Sequence, residues 1–168
     1  MAKTKPKPSV GVVLGSDSDL PAMQGCLDRL EWFGIPYEVR IISAHRAPEA
    51  AGRYAATAAR RGLKVIVAGA GLSAALGGAL AARTTLPVIG VPMAAGPLAG
   101  VDALLSTAQM PPGVPVGCMG IGSAGAVNAG VFAAEILATA DAALAAKLRK
   151  FKARLAREVA RKDAAVRR

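Results

Sequence analysis

His45 is the one histidine in 168 residues, and it stands beside Arg46 in the run IISAHRAPE, residues 41–49. An imidazole can accept and return a proton near neutral pH, because its unperturbed pKa lies at about 6.5. A neighbouring guanidinium can clamp a phosphate through two parallel hydrogen bonds. A second run, GSDSD at residues 15–19, joins a glycine turn to two hydroxyls and two carboxylates. Ser16 and Ser18 at a helix N-terminus can hold an anion such as phosphate, and Asp19 can hold a ribose hydroxyl. The same residues also suit plain helix capping by Ser18 or Asp19, so this run alone does not choose between the two roles. Two glycine runs, GAGLSA from Gly69 and GIGSAG from Gly120, have the pattern of dinucleotide-binding turns. No acidic residue occurs between Glu49 and Asp102, so the first lacks the carboxylate that binds the ribose of a nicotinamide cofactor. The second is followed by its helix and by no further strand. Glycines at these places suit close approach of a small ligand or of another subunit's backbone.

The elements that must position these residues can be read from hydropathy. VGVVLG (10–15), YEVRIIS (37–43), KVIVAG (64–69), LPVIGVP (86–92) and VPVGCMGI (114–121) read as strands. Helical patterns follow them at 19–34, 48–62, 72–84, 99–109 and 124–138. Because most of the strands are apolar runs rather than alternating, they predict a parallel sheet covered on both faces. Right-handed crossovers then give a three-layer, doubly wound α/β domain with five strands. Ligands in such sheets bind outside the carboxyl ends of the strands, and the strand-to-helix loops are where these runs fall. For His45 and Arg46 the flanks agree: Ser43 ends a strand, Pro48 suits the first helical turn, and Glu49 complements the helix dipole.

Composition removes several other functions. The formal net charge of +10 is carried by the chain ends, with three Lys and no acid in residues 1–10 and ten Lys/Arg against Glu158 and Asp163 in residues 147–168. Residues 11–146 hold eight basic and nine acidic side chains, so the body is nearly neutral. With no zinc-knuckle spacing, basic leucine-zipper region or aromatic RNA-binding strand, no nucleic-acid partner is expected. Cys26 and Cys118 make no disulfide framework, and one His with two distant Cys makes no zinc site. The start, MAKTKPKPS, lacks the apolar run of a secretory signal, so a cytoplasmic location is expected. Residues 65–82 are uncharged and reach the length of a membrane span, but four glycines and an opening β-branched run favour strand, turn and helix. The expected organisation is a basic, disordered lead-in at 1–9, a single α/β catalytic domain at 10–141, and a basic amphipathic helix at 142–168. The last element carries Leu144, Leu148, Phe151, Leu155 and Val159 at helical spacing, and that stripe needs a partner surface.

Taken together, GSDSD (15–19), SAHRAP (43–48), VIVAGAG (65–71), LPVIGVP (86–92), GVDALLSTAQMPPGVPVG (100–117) and NAGVFAAEILA (128–138) resemble one family. It comprises the N5-carboxyaminoimidazole ribonucleotide mutases and the aminoimidazole ribonucleotide carboxylases of purine biosynthesis. The likeness runs in order from about Val10 to Asp141. It implies a flavodoxin-like sandwich assembled as a homo-octamer, acting on a small ribonucleotide without cofactor or metal. By the same resemblance Ser16, Asp19 and Arg46 bind substrate, Ser18 and Ser43 are further ligands, and His45 is the general acid and base. Gly69, Ala70 and Gly71 would pack against the aminoimidazole ring and its carboxylate, with Ser73 a further contact. One departure bears on the reaction. Mutases of the family usually carry a histidine in the third loop, in a run like A-A-H-L-P-G, where this chain has Ala74, Ala75, Leu76 and Gly77. Ser73, Ala75 and Leu76 resemble the carboxylase branch, whereas Arg46 and GSDSD lean toward the mutases. Both reactions therefore stay open at the level of sequence: moving a carboxylate from the exocyclic nitrogen to the ring carbon, or adding free carbon dioxide there.

Overall fold

The computed structural model describes residues 6–167. Five strands, β1 (Val10–Leu14), β2 (Tyr37–Ile41), β3 (Val65–Ala70), β4 (Val88–Pro92) and β5 (Gly117–Cys118), form one sheet in the order β2-β1-β3-β4-β5. All neighbours are parallel. That order is the flavodoxin-like one, and it reverses direction between β1 and β3. The helices are α1 (Leu20–Phe33), α2 (Pro48–Arg61), α3 (Leu76–Ala81), α4 (Val101–Ala108), α5 (Gly122–Ala138) and α6 (Ala142–Val166).

Alternation along β1 feeds two cores. Val12 and Leu14 join residues of α1, α5 and α6 on one face, and Val13 joins those of α2, α3 and α4 on the other. Each β1 residue from Val10 to Leu14 is fully buried or nearly so, as a central strand covered on both faces requires. Close helix packing on the first face depends on small residues: a Cβ added to Gly130 of α5 would stand 2.8 Å from the Cys26 carbonyl oxygen of α1. α1 starts behind Asp19 with Pro21 in its first turn and ends at Gly34, whose φ of 74° is the left-handed cap that glycine tolerates. α6 buries Leu144, Leu148 and Phe151, while Leu155 and Val159 further along the stripe are exposed.

Two expectations need correction in extent. The third helix, expected over 72–84, is confined to Leu76–Ala81, because Leu72 and Ala74 adopt φ of 55° and 38° and so cannot be helical. The fifth strand pairs only through Gly117 and Cys118, on the edge of the sheet, where Pro115 has no N–H to give a ladder. The uncharged run 65–82 is divided between β3 and α3, and no helix among the described residues is long and apolar enough to cross a membrane. Of the lead-in expected at 1–9, residues 1–5 lie outside the described residues, and Ser9 donates both its N–H and its Oγ to the Pro36 carbonyl.

Candidate active site

Register places the chemistry. Leu14, Ile41 and Gly69 are level with one another at the ends of β1, β2 and β3, and Ala70 is level with Pro92 of β4. The loops that follow β1, β2 and β3 therefore leave the sheet side by side and enclose a cleft of about 560 Å³. Ser16, Ser18, Asp19, Ser43, His45, Arg46, Ala70, Gly71 and Ser73 all line it. Gly69 does not. It is the penultimate residue of β3, accepts the Gly15 N–H through its carbonyl at 2.9 Å, and lies beneath Leu14 and Met23. Its lack of a side chain serves the packing under the loop rather than the cleft.

The first loop is folded by its own polar atoms. Ser16 is extended and caps a short 3-10 turn, Asp17–Asp19, accepting from the Ser18 N–H at 3.3 Å. In return Asp19 Oδ2 accepts the Ser16 N–H at 3.1 Å, which completes a capping box. The Ser18 hydroxyl donates to Ser16 Oγ at 2.9 Å, so both hydroxyls face the same space. Asp19 makes no side-chain cap to α1 and is 8% exposed. Burial pushes its carboxyl above the usual range, the Ser16 N–H works against that, and Asp17 adds to the rise. A buried carboxylate holding one donor has acceptor capacity left for a ligand hydroxyl.

The second loop carries the imidazole and a guanidinium. Ser43 Oγ accepts from the Arg46 backbone N–H at 3.2 Å and from its Nε at 3.3 Å, and Arg46 Nη2 reaches the Gly15 carbonyl at 3.5 Å. These bonds aim the guanidinium back over the first loop and leave most of its donors free. His45, the residue before, is exposed to the cleft. The third loop supplies the apolar wall. Leu72, Ala74, Ala75 and Leu76 line the cleft, the Ser106 hydroxyl of α4 donates to the Ser73 carbonyl, and Ala95 closes the wall from the loop after β4. Sequence reasoning missed Ala44, Leu72 and Ala95 as lining residues. Small apolar side chains carry no chemical signal, and only the register of β3 with β4 brings Ala95 there. Among the described residues no three His, Cys, Asp or Glu side chains are grouped closely enough to hold a metal ion.

Residues 9–158 match the family model described as AIR carboxylase. The chain belongs to the AIR carboxylase family. Within it, the chain is 54% identical over 162 residues to the N5-carboxyaminoimidazole ribonucleotide mutase of Mycobacterium tuberculosis strain H37Rv, covering 96% of this chain and 92% of that one. It is likewise 54% identical over 142 residues to the enzyme of that name from Bacillus subtilis strain 168, covering 84% and 88%. Among solved structures, the crystal structure of Treponema denticola PurE superposes with a TM-score of 0.85 at 27% identity, covering 96% of this chain and 99% of that one.

Proposed function

We propose that the protein is an N5-carboxyaminoimidazole ribonucleotide mutase of purine biosynthesis. The observation that carries this reading is one cleft holding a single imidazole, a directed guanidinium and a serine–aspartate loop, in a chain half identical to mutases of that name. In this reading Arg46, Ser16 and Ser18 bind the phosphate, Asp19 binds the ribose, and Ser43 holds Arg46 in place. Ala70, Gly71 and Ser73 lie along the aminoimidazole ring and its carboxylate.

The reaction then needs one proton carrier. Protonated His45 gives its proton to the exocyclic nitrogen as the N–C bond to the carboxylate breaks, releasing carbon dioxide beside the amine. The adjacent ring carbon attacks that carbon dioxide to form the C–C bond, and its proton passes to the now neutral His45. Charge and protons balance, and the imidazole ends as it began. An apolar wall of alanines keeps water from the trapped carbon dioxide. We also place the enzyme in the cytoplasm as a homo-octamer, with the exposed half of the α6 stripe covered by another subunit.

The deciding assay offers purified protein the N-carboxylated ribonucleotide and, separately, the uncarboxylated one with bicarbonate. The mutase reading expects turnover of the first at low bicarbonate. Rapid turnover of the second alone would make the protein a carboxylase, the reading that Ala75 and Leu76 favour. His45→Asn should abolish turnover in either case while leaving the fold and assembly unchanged.

A further inference from the structure

Behind the active-site loop lies a second cleft, of about 450 Å³, between the edge strand β2 and helix α2. Arg53, Thr57 and Arg61 occupy one face of α2 at intervals of four residues, and Arg40 faces them from β2. Five of the eight basic residues in the body, Arg40, Arg46, Arg53, Arg60 and Arg61, fall between residues 40 and 61, where Glu49 is the one acid. Glu38 bonds two of the residues that line the cleft, both through one carboxylate oxygen. Arg61 Nη1 holds Glu38 Oε1 at 2.5 Å, and Tyr54 donates its hydroxyl to the same oxygen at 2.9 Å. Among the described residues neither Arg40 nor Arg53 is within ion-pair distance of any carboxylate. Arg61 Nη2 is buried with no hydrogen-bond partner.

Three guanidiniums against one engaged carboxylate leave an excess of about two positive charges around a solvent-filled space. A buried donor without an acceptor is costly, and planar N–H forks suit tetrahedral oxyanions. We propose that this cleft is a second anion site, separate from the His45 cleft, that takes a phosphate group. Ser43 lines both clefts, so an occupant would sit directly behind the loop that carries His45 and Arg46.

The test is titration of the full-length protein with inorganic phosphate by calorimetry. The wild type is expected to bind two phosphates per chain. Arg40→Gln with Arg53→Gln should weaken one of the two at least ten-fold, and Arg46→Gln should weaken the other. Unchanged stoichiometry and affinity in the double variant would overturn the proposal. Two sites persisting in Arg46→Gln would instead sink the phosphate clamp proposed for the active site while leaving this one standing. A measurement on the unmodified chain guards against misfolding of the variants: phosphate should protect Arg40 and Arg53 from phenylglyoxal, but not Arg60, which is exposed outside the cleft. Equal labelling of Arg53 and Arg60 with and without phosphate would refute the site. Ribose 5-phosphate is titrated in parallel. Tighter binding than inorganic phosphate, lost in the same double variant, assigns a phosphomonoester, and the reverse order assigns the free ion.

Discussion

Asp19→Asn separates the functional from the architectural use of the first loop. In the folded chain the Asp19 carboxyl is 8% exposed, accepts the Ser16 N–H at 3.1 Å and has a neighbouring carboxylate in Asp17. Burial dominates these influences and raises its pKa. A carboxyl raised in the folded state adds stability when protonated, below its unfolded pKa of about 3.9, and loses that contribution as pH rises through the folded value. At neutral pH the wild type therefore carries a desolvation cost that asparagine lacks, while the asparagine carbonyl still accepts from Ser16. The variant should be as stable as the wild type or more so at pH 7, by about 0.5–2 kcal/mol, the size usual where a site gives up stability for function. The difference should narrow as pH falls through the folded pKa and close below the unfolded value of about 3.9, where the carboxyl is protonated in both states. Activity should move the other way. A hydrogen bond from a ligand hydroxyl to a carboxylate contributes about 1.5–3 kcal/mol, so kcat/KM should fall about 10- to 150-fold. Urea denaturation at both pH values and steady-state kinetics read the two effects. A variant less stable than the wild type by more than about 1 kcal/mol at pH 7 would show that the Ser16 bond outweighs burial. Unchanged kcat/KM would remove Asp19 from the substrate site.

Other consequences follow from packing and charge. Burial alone works against the Glu38 carboxylate, but hydrogen bonds from Arg61 and Tyr54 and the charges of Arg61 and Arg40 outweigh it and hold its pKa below the usual range. Its stabilisation is thus present above its unfolded pKa, about 4.3, and is lost as pH falls through the folded value; Glu38→Gln should cost about 1–2 kcal/mol at pH 7 and progressively less as pH falls through that value in denaturant titrations. Gly130→Ala should destabilise by about 1–3 kcal/mol in thermal or urea unfolding, because the added methyl meets the backbone of Cys26 rather than a movable side chain. Burial pushes the Cys26 thiol up to about 12, so iodoacetamide at pH 8 should leave it unlabelled until the protein is unfolded, while the half-buried Cys118 reacts first.

How much of this was legible in the sequence varies with the physical origin of each feature. Apolar runs bounded by glycine and proline located β1, β3 and β4, because a strand buried on both faces has no polar positions to confuse the reading; β2, an edge strand that carries Glu38 and Arg40, was legible from its β-branched and aromatic residues instead. The strand-to-helix loops were legible as the ligand side of a parallel sheet, but the order β2-β1-β3-β4-β5 that brings three of them together is not fixed by crossover handedness and came with the structure. Boundaries failed where one or two backbone angles overrode composition. Leu72 and Ala74 are ordinary helix formers, yet their left-handed φ removes four residues from the expected helix and turns them into cleft wall. Gly69, expected beside the ring, lies beneath the cleft rather than in its lining for a related reason. A glycine in a strand-to-loop run reads equally as a ligand contact or as a packing gap, and only the positions of Leu14 and Met23 against it decide. The paired arginines of the second cleft were visible as residues but not as a group, since Arg40 joins Arg53 and Arg61 only when β2 lies beside α2.

The local conflicts in the chain are concentrated around the cleft. Among the described residues three non-glycine residues have positive φ; Leu72 and Ala74 are in its third loop, and Ala99 is in the loop after β4 that supplies Ala95. Such conformations cost of order 1–3 kcal/mol each and persist only where surroundings enforce them. Here the enforcing contacts are named: Ser106 donates to the Ser73 carbonyl, Met93 N–H donates to the Ala70 carbonyl at 2.9 Å, and Leu72 lies 2.6 Å from where a Gly96 Cβ would stand. The third and fourth loops are therefore held by each other rather than by local preference. Gly96 has φ of 70° and leaves room for the end of the Leu72 side chain, so any other residue there strains its own backbone and shifts Leu72 in the wall of the cleft. Gly96→Ala should lower kcat/KM by more than its effect on unfolding free energy explains, since it displaces loop residues while the sheet keeps its register. Equal losses of activity and stability would mean that the two loops form one folding unit with the core, and that the strain at Leu72 has no separate bearing on the site.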